Sequence, residues 1–309
     1  MHKHSLFTAY LLAAAALPTA AQNQALVQRL GHSSDAKLLI IHADDLAVAH
    51  SQDMASFEAL DRGAVTSASI MVPCPWLTEV ADYAKAHPEA DLGLHLTLTS
   101  EWKTYRWGPI TPRDQVSSLL DPHGYLYSDA GEAVRHMKPE EAEREVRTQI
   151  ETALKMGIRP THLDSHMGTL FATPALMAVL INVAHGYHLP FLMLKIPGVP
   201  PDMYSALKPT DVILDRVFMA APPIKAEDWL NYYTHILKTL PPGVSELIVH
   251  LAHDDAEMQA VTVDHPDYGS AWRQRDFNVM TGPEFRQALE ENHVVLTNWR
   301  KLGALLPEP

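Results

Sequence analysis

A single cysteine, Cys74, stands in the 309 residues. With no second cysteine, an intramolecular disulfide is excluded, and so is a cluster of thiolate metal ligands. Cys74 lies between Pro73 and Pro75 after an apolar run, a setting that suits small buried filler better than a nucleophile. Basic residues are scarce as well: 24 Lys and Arg stand against 37 Asp and Glu, for a net charge of −13. Phosphate contact needs a basic face, so a nucleic-acid partner is set aside. Beyond the N-terminus no apolar run is long enough to span a bilayer, and no membrane anchor is expected. Neither a Gly-x-Ser-x-Gly elbow nor a phosphate loop occurs. There is no internal repeat, low-complexity tract or linker that would force two domains.

The N-terminus reads as a secretory signal. Met1-His2-Lys3-His4 is weakly basic, residues 6–17 are apolar and Ala-rich, and Thr19-Ala20-Ala21 places small residues before Gln22. Cleavage is expected after Ala21, leaving 24 − 1 = 23 basic against 37 acidic side chains, or −14. No cysteine stands at that junction, so a lipid anchor is not expected. The expected location is periplasmic or secreted, with residues 22–309 forming a single domain.

Hydrophobic residues make up 47% of the chain, ordinary for a folded domain, and they fall into alternating strand-like and helix-like runs. Strands are predicted over 38–42, 65–72, 92–99, 161–165, 191–196, 245–251 and 294–297. Helices are predicted over 53–60, 77–84, 139–156, 174–185 and 226–240, with a final helix through 302. The run 38–42 is almost wholly apolar, as in a strand covered on both faces. The segment 139–156 is the clearest helix, with Pro139 near its start, acids in its first turn and Gly157 beyond its end. This alternation predicts an α/β fold: a mainly parallel sheet or barrel. Residues 101–131 break the rhythm and read as an insertion, a candidate substrate rim, and 255–281 reads similarly.

Asp44, Asp45, His95, His166 and His250 each fall at or near the end of a predicted strand. In parallel α/β folds that is where functional groups gather. One or two carboxylates with two or three imidazoles form a ligand set for a divalent metal, with positions left for water. Zinc and magnesium lead; nickel, cobalt and manganese also suit it. Adjacent residues on a regular strand point to opposite faces. Asp44 and Asp45 therefore share a site only if the strand ends or twists there; the alternative is that one of them caps the following helix.

These segments carry a resemblance. Ala43-Asp44-Asp45, Gly63-Ala64-Val65-Thr66-Ser67, Gly93-Leu94-His95-Leu96-Thr97-Leu98-Thr99, Pro160-Thr161-His162-Leu163-Asp164-Ser165-His166 and Glu246-Leu247-Ile248-Val249-His250 occur in that order. The chain resembles the YdjC-like (ChbG-type) carbohydrate deacetylases, relatives of the polysaccharide deacetylases. The resemblance implies a distorted, TIM-barrel-like parallel β/α barrel and metal-dependent removal of acetyl groups from N-acetylated sugars. It implies ligation by Asp45, His95 and His166, with Asp44 as general base. The chain departs from the family pattern at Leu46-Ala47, at Met167-Gly168 and at Leu251-Ala252-His253, and each departure leaves the implied ligands intact.

An amine leaving group needs a proton, for which His250 is the first candidate acid and His253 the second. His162 and Asp164 are candidates to orient the ligands from behind, against plain packing at a strand end. Trp102, Tyr105 and Trp107 could stack on sugar rings, with Trp272, Arg273 and Arg275 closing the other side. The expected partner is an acetylated carbohydrate, and a homodimer is compatible with the sequence. The competing readings are another metal-dependent amide or ester hydrolase on the same barrel, and a non-catalytic carbohydrate-binding protein.

Overall fold

Every strand pairing in the computed structural model, which describes residues 26–308, is parallel. The expected leader, residues 1–21, lies outside the described residues. β1 (Lys37–Leu46) is the central strand. β6 (Gly243–Val249) runs along one of its edges from Lys37 to Ala43. The other edge is shared, because β7 (Val294–Leu296) pairs with residues 37–39 and β2 (Ser67–Ile70) takes over from His42. β3 (Leu92–Leu96) and β4 (Leu163–Ser165) continue beyond β2, and β5 (Arg216–Met219) flanks β6. Single parallel bridges, Leu163–Phe191 and Leu194–Leu214, carry the ladder from β4 back toward β5. The sheet curls into the distorted barrel expected from the sequence.

Two apolar layers follow from strand parity. Leu39, Ile41, Ala43, Leu247 and Val249 face outward into the layer of helices. Among those helices are α1 (His50–Asp61), α2 (Leu77–Ala86), α3 (Ala130–His136), α4 (Pro139–Lys155), α5 (Pro174–Tyr187) and α6 (Trp229–Thr239). Leu38, Ile40, Val244, Ile248, Leu214 and Trp299 fill the barrel from inside. Successive side chains alternate faces, so His42 and Asp44 point inward with Leu38 and Ile40. Strand register then sets Ser67 and Ser69, Gly93 and His95, and Asp164 on the same inner wall. The barrel is apolar at the amino ends of its strands and polar toward their carboxyl ends.

Gly93 shows how closely that interior is filled. A Cβ there would sit 2.3 Å from Cε1 and 2.4 Å from Nε2 of His162. The imidazole cannot retreat, because it stacks on Trp299 at 5.1 Å and its Nδ1 is 3.0 Å from Thr161 Oγ1. Gly93→Ala is expected to destabilise the fold by about 1–3 kcal/mol through overpacking, read as a lower urea midpoint with unchanged slope.

Four segments differ from the sequence-based expectation, the first being α3, which was not predicted. Residues 191–196 form isolated bridges rather than a strand. β5 was not anticipated, since all four of its residues are only partly buried and carry no alternating pattern. The segment 255–281, read as an insertion, holds α7 (Ala256–Val261) and α8 (Ser270–Met280), followed by α9 (Pro283–Glu291). Apolar periodicity fails in α8 because its buried face carries Arg273 and Asp276, both of which serve the site. The segment 101–131 is irregular as expected and is tied down by α4. Glu145 accepts from the Ile110 and Thr111 amides at 2.9 Å each, and Glu141 from Ser118 at 2.8 Å. A short helix, α10 (Trp299–Gly303), follows β7.

Candidate metal centre

Asp45, one residue before the end of β1, is in a left-handed conformation, φ 72°, with Ala47 just beyond the strand at φ 78°. The register of β1 against β2 shifts between Ala43 and Leu46. That local turn answers the parity problem, since an adjacent pair can serve one site once the strand stops being regular. Aspartate tolerates this region better than most residues. The capping alternative is not realised: α1 has no side-chain cap, and its first amides bond instead to Glu257, from His50 at 3.3 Å and Ser51 at 2.8 Å.

The carboxylate of Asp45 is buried and divided in its duties. Its Oδ2 accepts from Arg273 Nη2 at 2.7 Å. Its Oδ1 has no hydrogen-bond partner among the described residues, and it faces His95 Nε2 and His166 Nδ1, each at 3.4 Å. Burial by itself would raise this carboxyl; the Arg273 guanidinium and the neighbouring imidazoles override it and hold Asp45 well below the usual carboxylate range. One oxygen and two imidazole nitrogens thus converge on a single point, with the three ligand atoms within 4.8 Å of one another. An orphaned buried carboxylate oxygen between two ring nitrogens is a donor set suited to a divalent metal ion. The residues present fit a divalent cation.

The opposite nitrogen of each imidazole is held. His95 Nδ1 bonds Asp164 Oδ1 at 2.6 Å, and His166 Nε2 bonds Glu101 Oε2 at 2.9 Å. Carboxylates placed this way fix ring orientation and raise ligand basicity. Burial disfavours charge on His166, yet Glu101 and Asp45 outweigh it and push the ring up to about 10. Asp164 thus stands behind His95, on the ring nitrogen away from Asp45. His162 does not touch the converging nitrogens; it packs one level below, under Gly93 and against Trp299, and burial holds it well below the ordinary histidine range.

Asp44 stands beside the donor set, with Oδ2 3.7 Å from His95 Nε2 and 3.9 Å from His250 Nε2. The backbone amide of His250 donates to Asp276 Oδ2 at 3.0 Å, which fixes that residue at the rim. Burial pushes the His250 ring down to about 4 against the pull of Asp45, so it is neutral at neutral pH. His253 points elsewhere: its Nε2 is 3.9 Å from Glu58 and its ring packs on Phe277.

The aromatic residues of the 101–131 segment form a cluster behind the site. Trp102 and Trp107 are buried, with rings edge-on at 5.7 Å, and Trp107 lies 6.4 Å from the His166 ring. They form a wall rather than the open sugar platform expected of them. Tyr105 is half-buried and bonds the Val48 carbonyl at 2.7 Å. Trp272 packs edge-on against Trp229 at 4.5 Å, and Arg275 lies over Trp229. Arg273, expected at the substrate, is instead buried and occupied with Asp45, Gln52 Oε1 and the Tyr268 carbonyl.

Sequence reasoning missed Glu101, Gln52, His42 and Glu246. His42 was findable by strand parity, two residues before Asp44. Glu246 is buried on β6, and neither of its oxygens has a hydrogen-bond partner among the described residues. Burial pushes its carboxyl up to about 8. Because this value lies above that of the unfolded chain, the stability it contributes is present at low pH and is lost as pH rises through about 8. Glu246→Gln is expected to remove up to about 1.4 kcal/mol per pH unit of that slope, measured by urea unfolding of both proteins across the range.

The sequence model for the family described as YdjC-like protein matches residues 38–291. The chain belongs to the YdjC-like family. A carbohydrate deacetylase of Thermus thermophilus is 35% identical over 292 residues, covering 91% of this chain and 99% of that one. A carbohydrate deacetylase of Enterococcus faecalis is 29% identical over 271 residues, covering 86% and 98%. Among solved structures, an Enterococcus faecalis protein named for cellobiose-phosphate cleavage superposes with a TM-score of 0.73 at 28% identity, over 86% of this chain and 99% of that one.

Proposed function

We propose that this protein is a metal-dependent carbohydrate deacetylase that hydrolyses the acetyl amide of N-acetylated sugars or oligosaccharides. One observation carries the reading: the orphaned Oδ1 of Asp45 faces two oriented imidazole nitrogens, with a second carboxylate, Asp44, beside them. Relatives across nearly the whole chain are named carbohydrate deacetylases.

Asp45, His95 and His166 would hold one divalent cation, zinc first by donor type. Bound there, such an ion lowers the pKa of water and polarises the acyl carbonyl. The remaining work falls to the chain. Asp44 accepts the proton that the attacking water gives up, and the C–N bond then breaks with that electron pair leaving on the amine nitrogen. The amine takes up a proton, so acetate and a free amino sugar result. A neutral His250 receives the proton from Asp44, 3.9 Å away, and passes it to the leaving nitrogen. Asp164 and Glu101 keep the two imidazoles aimed, and Arg273 keeps Asp45 ionised. The leader read in residues 1–21 supports a periplasmic or secreted setting for this chemistry.

The test is acetate release from N-acetylated chito-oligosaccharides by the metal-reconstituted protein. His250→Ala is expected to lower kcat by about a hundredfold, and His253→Ala to stay within about twofold of the parent, as its distance from the site requires. Release of another acyl group from an ester or amide panel, with none from N-acetyl sugars, would overturn the substrate class.

A further inference from the structure

Four side chains close a ring beneath the metal centre. Asp44 Oδ1 is 3.1 Å from His42 Nε2, which is 3.2 Å from Asp164 Oδ2. Asp164 Oδ1 bonds His95 Nδ1 at 2.6 Å, and His95 Nε2 returns to within 3.7 Å of Asp44 Oδ2. Three of the four already have parts in the chemistry. His42 does not, and it is fully buried.

Its protonation follows from its neighbours. A carboxylate only accepts, so Nε2, facing two of them, carries a hydrogen. Nδ1 is 3.0 Å from Ser67 Oγ. Ser67 donates its one hydroxyl hydrogen to Asp91 Oδ1 at 2.8 Å, so its oxygen can only accept from Nδ1. Both ring nitrogens are donors. The other groups around the ring fit this: Ser69 Oγ lies 3.0 Å from Nε2, Glu246 Oε1 lies 4.0 Å from Nδ1, and the His162 ring is edge-on at 5.0 Å.

We propose that His42 is a positioning residue of this active site: a buried imidazolium that clamps Asp44 and Asp164 together. It thereby sets the base at a fixed place relative to the ligand His95. Without the ring, two carboxylates that share one nitrogen would repel in a water-poor interior and separate. Asp44 would lose its aim and Asp164 its hold on His95. The inference rests on the reading of Asp44 as base, and its test is chosen to separate the two.

The zinc-loaded wild-type protein, labelled at histidine, is examined by nitrogen–proton correlation NMR at about pH 8, above the ordinary histidine range. One ring with both nitrogens protonated is expected, and its signal should vanish in His42→Gln and in His42→Asn. A neutral His42 ring overturns the proposal. His42→Gln is expected to lower kcat by about a hundredfold, with KM and zinc stoichiometry held, whereas a kcat within about twofold of the parent also overturns it. A wild-type protein that releases no acetate would overturn the functional reading instead, and the NMR state of the ring would still decide for or against the clamp.

Discussion

Replacing Asp44 with Asn is expected to lower kcat for acetate release by about three orders of magnitude while the protein still binds one metal ion per chain. The substitution conserves size and leaves Asp45, His95 and His166 untouched, so the donor set and the orphaned oxygen between the two imidazoles persist. What is lost is an oxygen able to take a proton: the amide is not a base, although its carbonyl can still accept from His42 Nε2, 3.1 Å away in the parent. KM should move little, since ground-state binding does not depend on proton transfer. The separation matters because Asp45→Asn should behave differently, losing metal and turnover together. Acetate assays beside metal analysis of the purified variants distinguish the pair. Retention of a tenth or more of parental kcat by Asp44→Asn would remove Asp44 from the role of base.

The candidate donors were visible in the sequence and their supports were not, for a physical reason. Functional groups gather at the carboxyl ends of strands, and apolar strands announce their own ends, so Asp44, Asp45, His95, His166 and His250 could be found from local pattern, whereas the choice of Asp45, His95 and His166 among them came from the family resemblance. The left-handed turn at Asp45 could be posed as a requirement but not seen, because a single φ leaves no periodic trace. Arg273 reaches Asp45 across 228 positions of chain, and no local rule pairs residues so far apart. The same residue erased its own helix from view: with Arg273 and Asp276 on the buried face of α8, apolar spacing could not reveal it. Glu101 was hidden in an irregular segment whose shape is set by α4 rather than by its own residues. Trp102 and Trp107 misled in the opposite direction. An aromatic in a loop suits a sugar platform or a core equally well, and only burial decides between them.

Arg273→Met is expected to destabilise the metal-free protein by about 3–5 kcal/mol, because it breaks a buried ion pair and leaves one partner charged in the interior. Asp45 and Arg273 are both almost fully buried, and Asp45 Oδ2 has the guanidinium at 2.7 Å. The same guanidinium also bonds Gln52 Oε1 at 2.8 Å and the Tyr268 carbonyl at 2.6 Å, so its loss leaves those acceptors unpaired as well as removing charge. Two comparisons separate these contributions. In an Asp45→Asn background the carboxylate is gone, and Arg273→Met should then cost markedly less, the difference being the coupling of the pair in a double-mutant cycle. With zinc present, a cation beside Asp45 supplies the missing positive charge, so the loss from Arg273→Met should shrink as metal is titrated in, beyond the general stabilisation that any bound ligand gives the folded state. Urea unfolding of the four proteins, with and without zinc, contains both tests. A cost that is the same in every background would mean that Arg273 acts through Gln52 and Tyr268 as a packing strut. A cost that falls with either change would show that the arginine holds the place of positive charge in a pocket built around Asp45.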